Sequence, residues 1–477
     1  MSSTRSRLLH GFSAAAIGPL ATAISQVVAV PIFLGAWGAG KYGEWLILST
    51  VPTYLALSDV GFGSVAGNDM TMRVASGDTQ GAIETFQSTW VLLCLVSALL
   101  GTLAFVGVGA FDVPGWFRFR HISPHETRSS LILLSISVLF TLQSPLILAG
   151  FRCDGRYARG VMLANTLRIL DVLAAPLAVV LKADPIAVSA ACLCMRASTM
   201  LLLAWLMLRS TPWLRFGIAH ASLRTVIALS GPSFAYMAFP AANLLSLQGV
   251  VLVIGIMLGP ISVVVFSTTR TLTRFPLQLV DSVKNAVWPE LSRAYGANNP
   301  DLARTLHVRA FQAALFLTGI SSALLLTCGE FIYKQWTHGR LDFDPITFWL
   351  LAGVVASTSL WSTSSAVTIA ANRHQRVAGA YLGVTVVSLA LVVLGIRLNG
   401  LRGAAFGLLM ADVVIGWYII RLSLLSLEQQ VSAFIPALLA VRPFVQSIVA
   451  AAQTERHRLT RRKAVPAEPE QAVERAS

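Results

Sequence analysis

The chain has 477 residues, a mean hydropathy of +0.69, 55% hydrophobic residues and only 12% charged ones. Soluble domains carry about 25% charged residues, so this composition excludes an ordinary soluble protein and describes one solvated mainly by lipid. The formal charge of +14 does not indicate nucleic acid as a partner, because the Lys and Arg residues sit in short loops between apolar runs.

The first stretch, MSSTRSRLLHGFSAAAIGPLATAISQVVAVPIFLG, places Arg5 and Arg7 before an apolar run of about 24 residues. A secretory signal has an apolar core of only about 7–15 residues, so a retained first membrane span is expected. Runs of about 20 apolar residues, the length a bilayer requires, recur twelve times. They lie at 11–34, 42–66, 87–111, 129–151, 161–181, 186–208, 226–257, 260–285, 307–329, 345–370, 377–396 and 402–425. Fourteen Lys and Arg residues fall in one set of alternate loops, from Arg5 to Arg376, against nine in the other, from Lys41 to Arg402. The excess places both termini in the cytoplasm, as an even number of spans requires. After the last span, VSAFIPALLAVRPFVQSIVAAA within 429–452 is interrupted by Pro436 and by Arg442-Pro443 and predicts an interfacial helix. Residues 453–477 have the composition of a disordered cytoplasmic tail.

The halves echo one another. LGAWGAGKYGEWLILSTVPTYLALSDVGFGS, from 34, has a counterpart in LGPISVVVFSTTRTLTRFPLQLVDSV, from 258. Each reaches an Asp (Asp59, Asp281) and then a polar turn, SGDTQGA or YGANNPDLA. The expected fold is therefore an all-α integral membrane protein. It has about twelve transmembrane helices in two six-helix bundles, 1–212 and 213–428, related by an internal pseudo-two-fold repeat.

One span contradicts its apolar surroundings. Drawn as a single helix at 100° per residue, 260–285 gathers Arg270, Arg274, Asp281 and Lys284 within an arc of about 80°. Gln278 and Asn285 extend that polar face. A charge at bilayer depth costs about 2.5–3.5 kcal/mol on insertion scales, so the stripe should line a water-filled cavity rather than face lipid. Its cationic excess points to an anionic ligand, and two guanidinium forks a turn apart suit a diphosphate. Acids within spans are few: Glu44, Asp59, Asp171, Asp281 and Asp412. Arg168 and Arg196 are further candidate cavity residues, with Arg168 spaced to pair with Asp171. Asp171, Asp412 and Asp59 are candidates for a coupling Na⁺ or H⁺ site, although Asp59 reads first as a loop cap. Pro232, Pro240, Pro276 and Pro289 predict bends in the seventh and eighth spans. The five cysteines lack metal-ligand spacing and read as small buried hydrophobes. No metal site, catalytic set or cofactor is expected beyond the coupling ion.

The stretch from 34 to 64, the GD turn after it and TTRTLTRFPLQLVDSVKNAVWPELSRAYG resemble bacterial polysaccharide-biosynthesis membrane proteins. These are the O-antigen and exopolysaccharide flippases (Wzx-type) of the multidrug/oligosaccharidyl-lipid/polysaccharide (MOP) exporter superfamily. The resemblance runs through about 10–425. It implies a bacterial inner-membrane protein that moves undecaprenyl-diphosphate-linked oligosaccharide from the cytoplasmic to the periplasmic leaflet. It also implies an arginine on the eighth span, which Arg270 and Arg274 match, and partners among other polysaccharide-assembly membrane proteins. The first span has no Arg, unlike the lipid II flippase branch.

Two other classes are weighed. A MATE-like drug/cation antiporter would expose acids in its cavity, the reverse of the balance here. A membrane enzyme acting on lipid-linked sugars would need catalytic loops, and the longest outer loops, 112–128 and 330–344, offer only His121, His125 and Glu126 in the first.

Overall fold

The computed structural model describes residues 27–440 apart from 111, 118, 298 and 371–373; a few helical side chains, that of Asn285 among them, are not described. Arg5, Arg7, most of the first span, the second half of the expected interfacial helix and the tail thus lie outside the described residues. Among the described residues there are helices and turns and no strand. The first half contains α1 (27–50), α2 (Phe62–Ala75), α3 (Thr79–Ala110) and the short α4 (Val113–Trp116). It continues with α5 (Pro124–Thr141), α6 (Ser144–Cys153), α7 (Tyr157–Val180) and α8 (Pro185–Ser210). The second half contains α9 (Leu223–Leu244), α10 (Val250–Leu258), α11 (Pro260–Thr273) and α12 (Phe275–Gly296). Then follow α13 (Pro300–Thr337), α14 (Pro345–Ala370), α15 (His374–Ser426) and α16 (Val431–Leu439).

Nine described segments are long and apolar enough to cross a bilayer. Two of them turn back on themselves. In α1 the ring of Phe33 stacks on Tyr42 at 4.9 Å, a contact that a straight helix, rising about 1.5 Å per residue, would forbid. The chain reverses at Gly38, whose φ of +70° an L side chain rarely adopts. In α15 the reversal is at Asn399 and Gly400 (φ 54°, ψ −135°). Its two arms meet at Gly395 and Gly403, where a Cβ on either would collide with the other's backbone carbonyl. One more crossing is made by α11 and α12 together. Among the described residues, the two hairpins and the divided crossing raise the nine toward the twelve that the apolar runs predict, the first of which lies mostly outside the described residues.

The eighth crossing departs from expectation. The helix stops at Thr273 and restarts at Phe275, with Pro276 in the first turn of α12. Proline lacks the amide hydrogen that would continue the ladder. The ladder across 260–285 is therefore interrupted at Arg274, which keeps near-helical dihedrals (φ −83°, ψ −7°), so the polar stripe bends there. Two other crossings bend by different means. The second passes through a 3-10 helix, Val51–Asp59, opened by Pro52 and closed by left-handed Val60 and Gly61. The seventh contains a π-turn, Leu245–Gly249, five residues after Pro240.

Among the described residues, the helices of the first half pack on one another (α5 on α8, α7 on α8, α2 on α6), and so do those of the second (α14 on α15, α12 on α13 and α14). The last crossing of each ends in a matching pair, Arg209 4.0 Å from the Trp205 ring and Arg421 5.3 Å from Trp417. Arg over aromatic rings is typical of a membrane–water interface. The bundles join firmly at one end. There Ile47 packs among Val250, Ile254, Val263 and Phe266, and Phe33, Tyr42 and Trp45 share a core with Val264, Tyr333 and Phe348. Glu44, almost fully buried, accepts from the backbone amides of Arg120 (2.6 Å), His121 (3.0 Å) and Ile122 (2.7 Å), anchoring the 111–123 loop to this end. His121 itself contacts Glu44, and Glu126 completes a capping box with Ser123, so both act in folding the loop. Outward, Leu95, Leu99, Phe105 and similar side chains remain exposed, as lipid contact requires.

At the same end Arg402 donates to both carboxylate oxygens of Asp344 (2.9–3.1 Å) and ties the 338–344 loop to the tip of the α15 hairpin. Burial pushes the Asp344 carboxyl up, but the Arg402 and Thr347 donors outweigh it and leave its pKa below the usual value. Stability from this group is thus present above the ordinary aspartate pKa and lost as pH falls through its lowered one. Thermal unfolding of Asp344→Asn should show a lower midpoint than wild type at neutral pH, and the gap should close on acidification.

Candidate functional site

Opposite the sealed end, the bundles part around two joined chambers. The outer chamber, about 680 Å³, is lined mainly by the first bundle, with Asn68, Arg152, Asn165 and Arg168, and by Tyr236 of α9 from the second. The inner chamber, about 490 Å³, reaches between the bundles to Thr50, Gln248, Ser267 and Arg270. Asp171, Val172 and Arg196 line both. Among the described residues, four arginines and one aspartate are the charged groups on these walls.

The pair at the junction differs from the spacing-based expectation. Asp171 accepts from Arg196 (Nε 2.8 Å) and not from Arg168, because α7 packs its Asp171 face against α8. Arg168 stands exposed on the outer chamber wall instead.

Arg270, in the last turn of α11, enters the inner chamber half-buried. Its guanidinium donates to the carbonyl of Leu247 at 2.8 Å and lies 5.2 Å over the Phe266 ring. Among the described residues no carboxylate comes within 4.0 Å of Arg270 or Arg274. Leu247 belongs to the π-turn of the seventh crossing, and the next residue, Gln248, accepts from Thr50 Oγ1 of the first bundle at 3.3 Å. One short turn therefore holds the chamber arginine with its backbone and touches the opposite bundle with its side chain.

Arg274 has a different setting. It sits at the break between α11 and α12, lines neither chamber, and shares the second bundle with Asp281, Asp412 and Tyr381, whose fields act on it. Lys284 is held by Asp281 at 2.6 Å, and neither Lys284 nor Gln278 reaches a chamber wall. The side chain of Asn285 is outside the described residues. Of the acids considered for a coupling ion, Asp59 accepts from the Gly63 amide at 2.8 Å and caps α2. Asp412 accepts from Thr358 Oγ1 (3.0 Å) and Trp361 Nε1 (3.2 Å), within the second bundle and away from the chambers. Asp171 is the acid on the chamber wall.

Sequence reasoning missed Asn68, Arg152, Asn165, Tyr236 and Gln248. Solitary amides at 68 and 165 in otherwise apolar runs were a usable signal, whereas Arg152 read only as a loop charge. Nothing in LLSLQG marks a π-turn.

No family model and no curated protein matches the sequence. Solved structures do match in shape. An inward-facing multidrug resistance MATE family transporter of the MOP superfamily aligns with TM-score 0.68 and 16% identity, covering 85% of this chain and 94% of that one. An outward-facing form gives TM-score 0.58 at 16% identity, covering 88% and 95%. The lipid II flippase MurJ, inward closed, gives 0.65 at 14% identity, covering 88% and 89%. The chain thus has the fold of MOP-superfamily membrane transporters.

The Asp171–Arg196 pair is partly shielded from water, with side-chain exposures of 12% and 26%. Removing one partner leaves an uncompensated charge in a low-dielectric wall. Thermal unfolding in detergent should show Asp171→Asn and Arg196→Gln each losing ~2 kcal/mol, and the double variant losing less than their sum.

Proposed function

We propose that this protein is a MOP-type transporter of the bacterial inner membrane. It translocates a polyprenyl-diphosphate-linked oligosaccharide of surface polysaccharide assembly, with both termini cytoplasmic. The observation that carries the reading is Arg270: a chamber guanidinium held, among the described residues, by a peptide carbonyl and a ring face. A phosphate oxygen offers the same donors a charged acceptor, worth roughly twice a neutral one. Arg270 is thus the leading diphosphate contact, and Arg274, which lines neither chamber, the lesser candidate.

The walls extend this logic. Arg152, Arg168 and Arg196 against Asp171 make the route anion-attracting, while Asn68, Asn165 and Tyr236 supply the amides and aromatic edge that hydroxyl-rich sugars engage. The two bundles, 1–212 and 213–428, would act as the rocking units of alternating access. Asp171 in one and Asp412 in the other are the acids where Na⁺ or H⁺ would couple. A drug/cation antiporter requires the opposite wall charge.

Purified protein in vesicles, offered a short-chain diphosphate-linked glycan under Na⁺ and pH gradients, tests the reading. Arg270→Gln should slow glycan translocation at least ~10-fold, the loss of one charge-assisted contact. Arg274→Gln should slow it less and lower the thermal midpoint more. Transport of organic cations with no glycan movement would establish the antiporter instead.

A further inference from the structure

A second cationic site lies outside the transport chambers, where α13 emerges from the membrane. With 38 residues α13 is about 57 Å long, nearly twice the ~30 Å hydrocarbon core, so its first turns stand in the headgroup region or beyond. Phe316, Ile320 and Leu324 form its lipid-facing row, each more than half exposed. Arg309, seven residues before Phe316, continues that same row toward the chamber-opening end of the molecule. It is exposed, and among the described residues no carboxylate lies within 4.0 Å of it.

Beside it lies α16. This helix docks through Phe434, which stacks on His307 (5.3 Å) and meets Phe311 edge-on (5.3 Å). Gln312 Nε2 fixes its far end by donating to the carbonyls of Ala437 and Leu438, both at 3.1 Å. Arg304 fixes the near end through the carbonyl of Leu427 at 2.9 Å. Between the two helices a pocket of about 330 Å³ remains, lined by Arg304, Arg309, Gln312 and Gln429. On its free side α16 exposes Val431, Ile435 and Leu439, at i, i+4 and i+8. That stripe is apolar and belongs to a helix too short to span.

We infer that the α13–α16 pocket binds the headgroup phosphate of an anionic phospholipid of the adjoining leaflet. Arg309 makes the phosphate contact, and the Val431–Ile435–Leu439 stripe lies among the acyl chains. Charge decides the occupant. Arg304 is paired with Asp301 at 3.0 Å, which leaves Arg309 as the uncompensated cation of the pocket; a zwitterionic headgroup brings its own cation to it, whereas phosphatidylglycerol brings a net negative charge. Bound lipid would bridge α13 and α16 and hold the short helix against the second bundle. The site shares no residue with the chambers, so it stands whatever cargo they carry.

The test uses the full-length protein in nanodiscs of phosphatidylcholine, titrated with phosphatidylglycerol and read by lipid affinity and thermal midpoint. Arg309→Gln should weaken phosphatidylglycerol binding about fivefold, the loss of one interfacial cation. Arg309→Glu should weaken it further, and Ile435→Ser should weaken it with the charges unchanged. Arg224→Gln, an exposed arginine at the start of α9, should leave it unaltered. Equal loss with Arg224→Gln, or none with Arg309→Glu, would overturn the site. Full protection by soluble glycerol phosphate would overturn the lipid as its occupant.

Discussion

The structure depends on how a chain this apolar accommodates fixed positive charge. A guanidinium remains ionised at any accessible pH, so within a membrane protein it must meet an anion, a peptide carbonyl, an aromatic face or water. All four solutions are present. Arg196 takes an anion, Arg270 a carbonyl and a ring, Arg209 and Arg421 take tryptophan rings at the boundary, and Arg168 the open chamber. The carbonyl solution leaves Arg270, among the described residues, without a carboxylate within 4.0 Å in the space between the bundles.

That solution requires irregular backbone. A carbonyl within a regular apolar helix is normally engaged by the next turn, but the π-turn at Leu245–Gly249 changes the ladder where Arg270 approaches. Similar interruptions occur at the 3-10 helix of the second crossing and at the α11–α12 break. All three lie in crossings two, seven and eight, which are among the crossings that meet between the bundles. In lipid, non-helical backbone is tolerated only where protein or a wet cavity covers it, and here both do. The places where the fold bends are therefore the places where the two halves touch.

The same arrangement separates two roles that proximity in sequence would merge. Arg270 and Arg274 are one helical turn apart, yet the break after Thr273 leaves the first on a chamber wall and sends the second toward Asp281 and Asp412. Lys284 is balanced by its neighbour Asp281. A stripe that carries four ionisable groups on paper presents one of them to the space between the bundles.

Apolar run length alone determined the helical class and the twelve crossings, because a bilayer admits few lengths and demands internal hydrogen bonding. The prediction for 345–370 even coincides with α14. Charge count identified the cationic character of the interior, since so few acids were available to cancel it. Partner choice was not legible. Asp171 is spaced for Arg168, but the packing of α7 on α8 delivers Arg196, and no local pattern encodes which neighbour a helix face will meet. Pro276 was visible as a bend, yet only the folded crossing shows that the polar stripe bends at Arg274. Tertiary structure decided which arginine faces the chamber, because that depends on helix breaks and on contacts between residues some two hundred positions apart, such as Thr50 and Gln248.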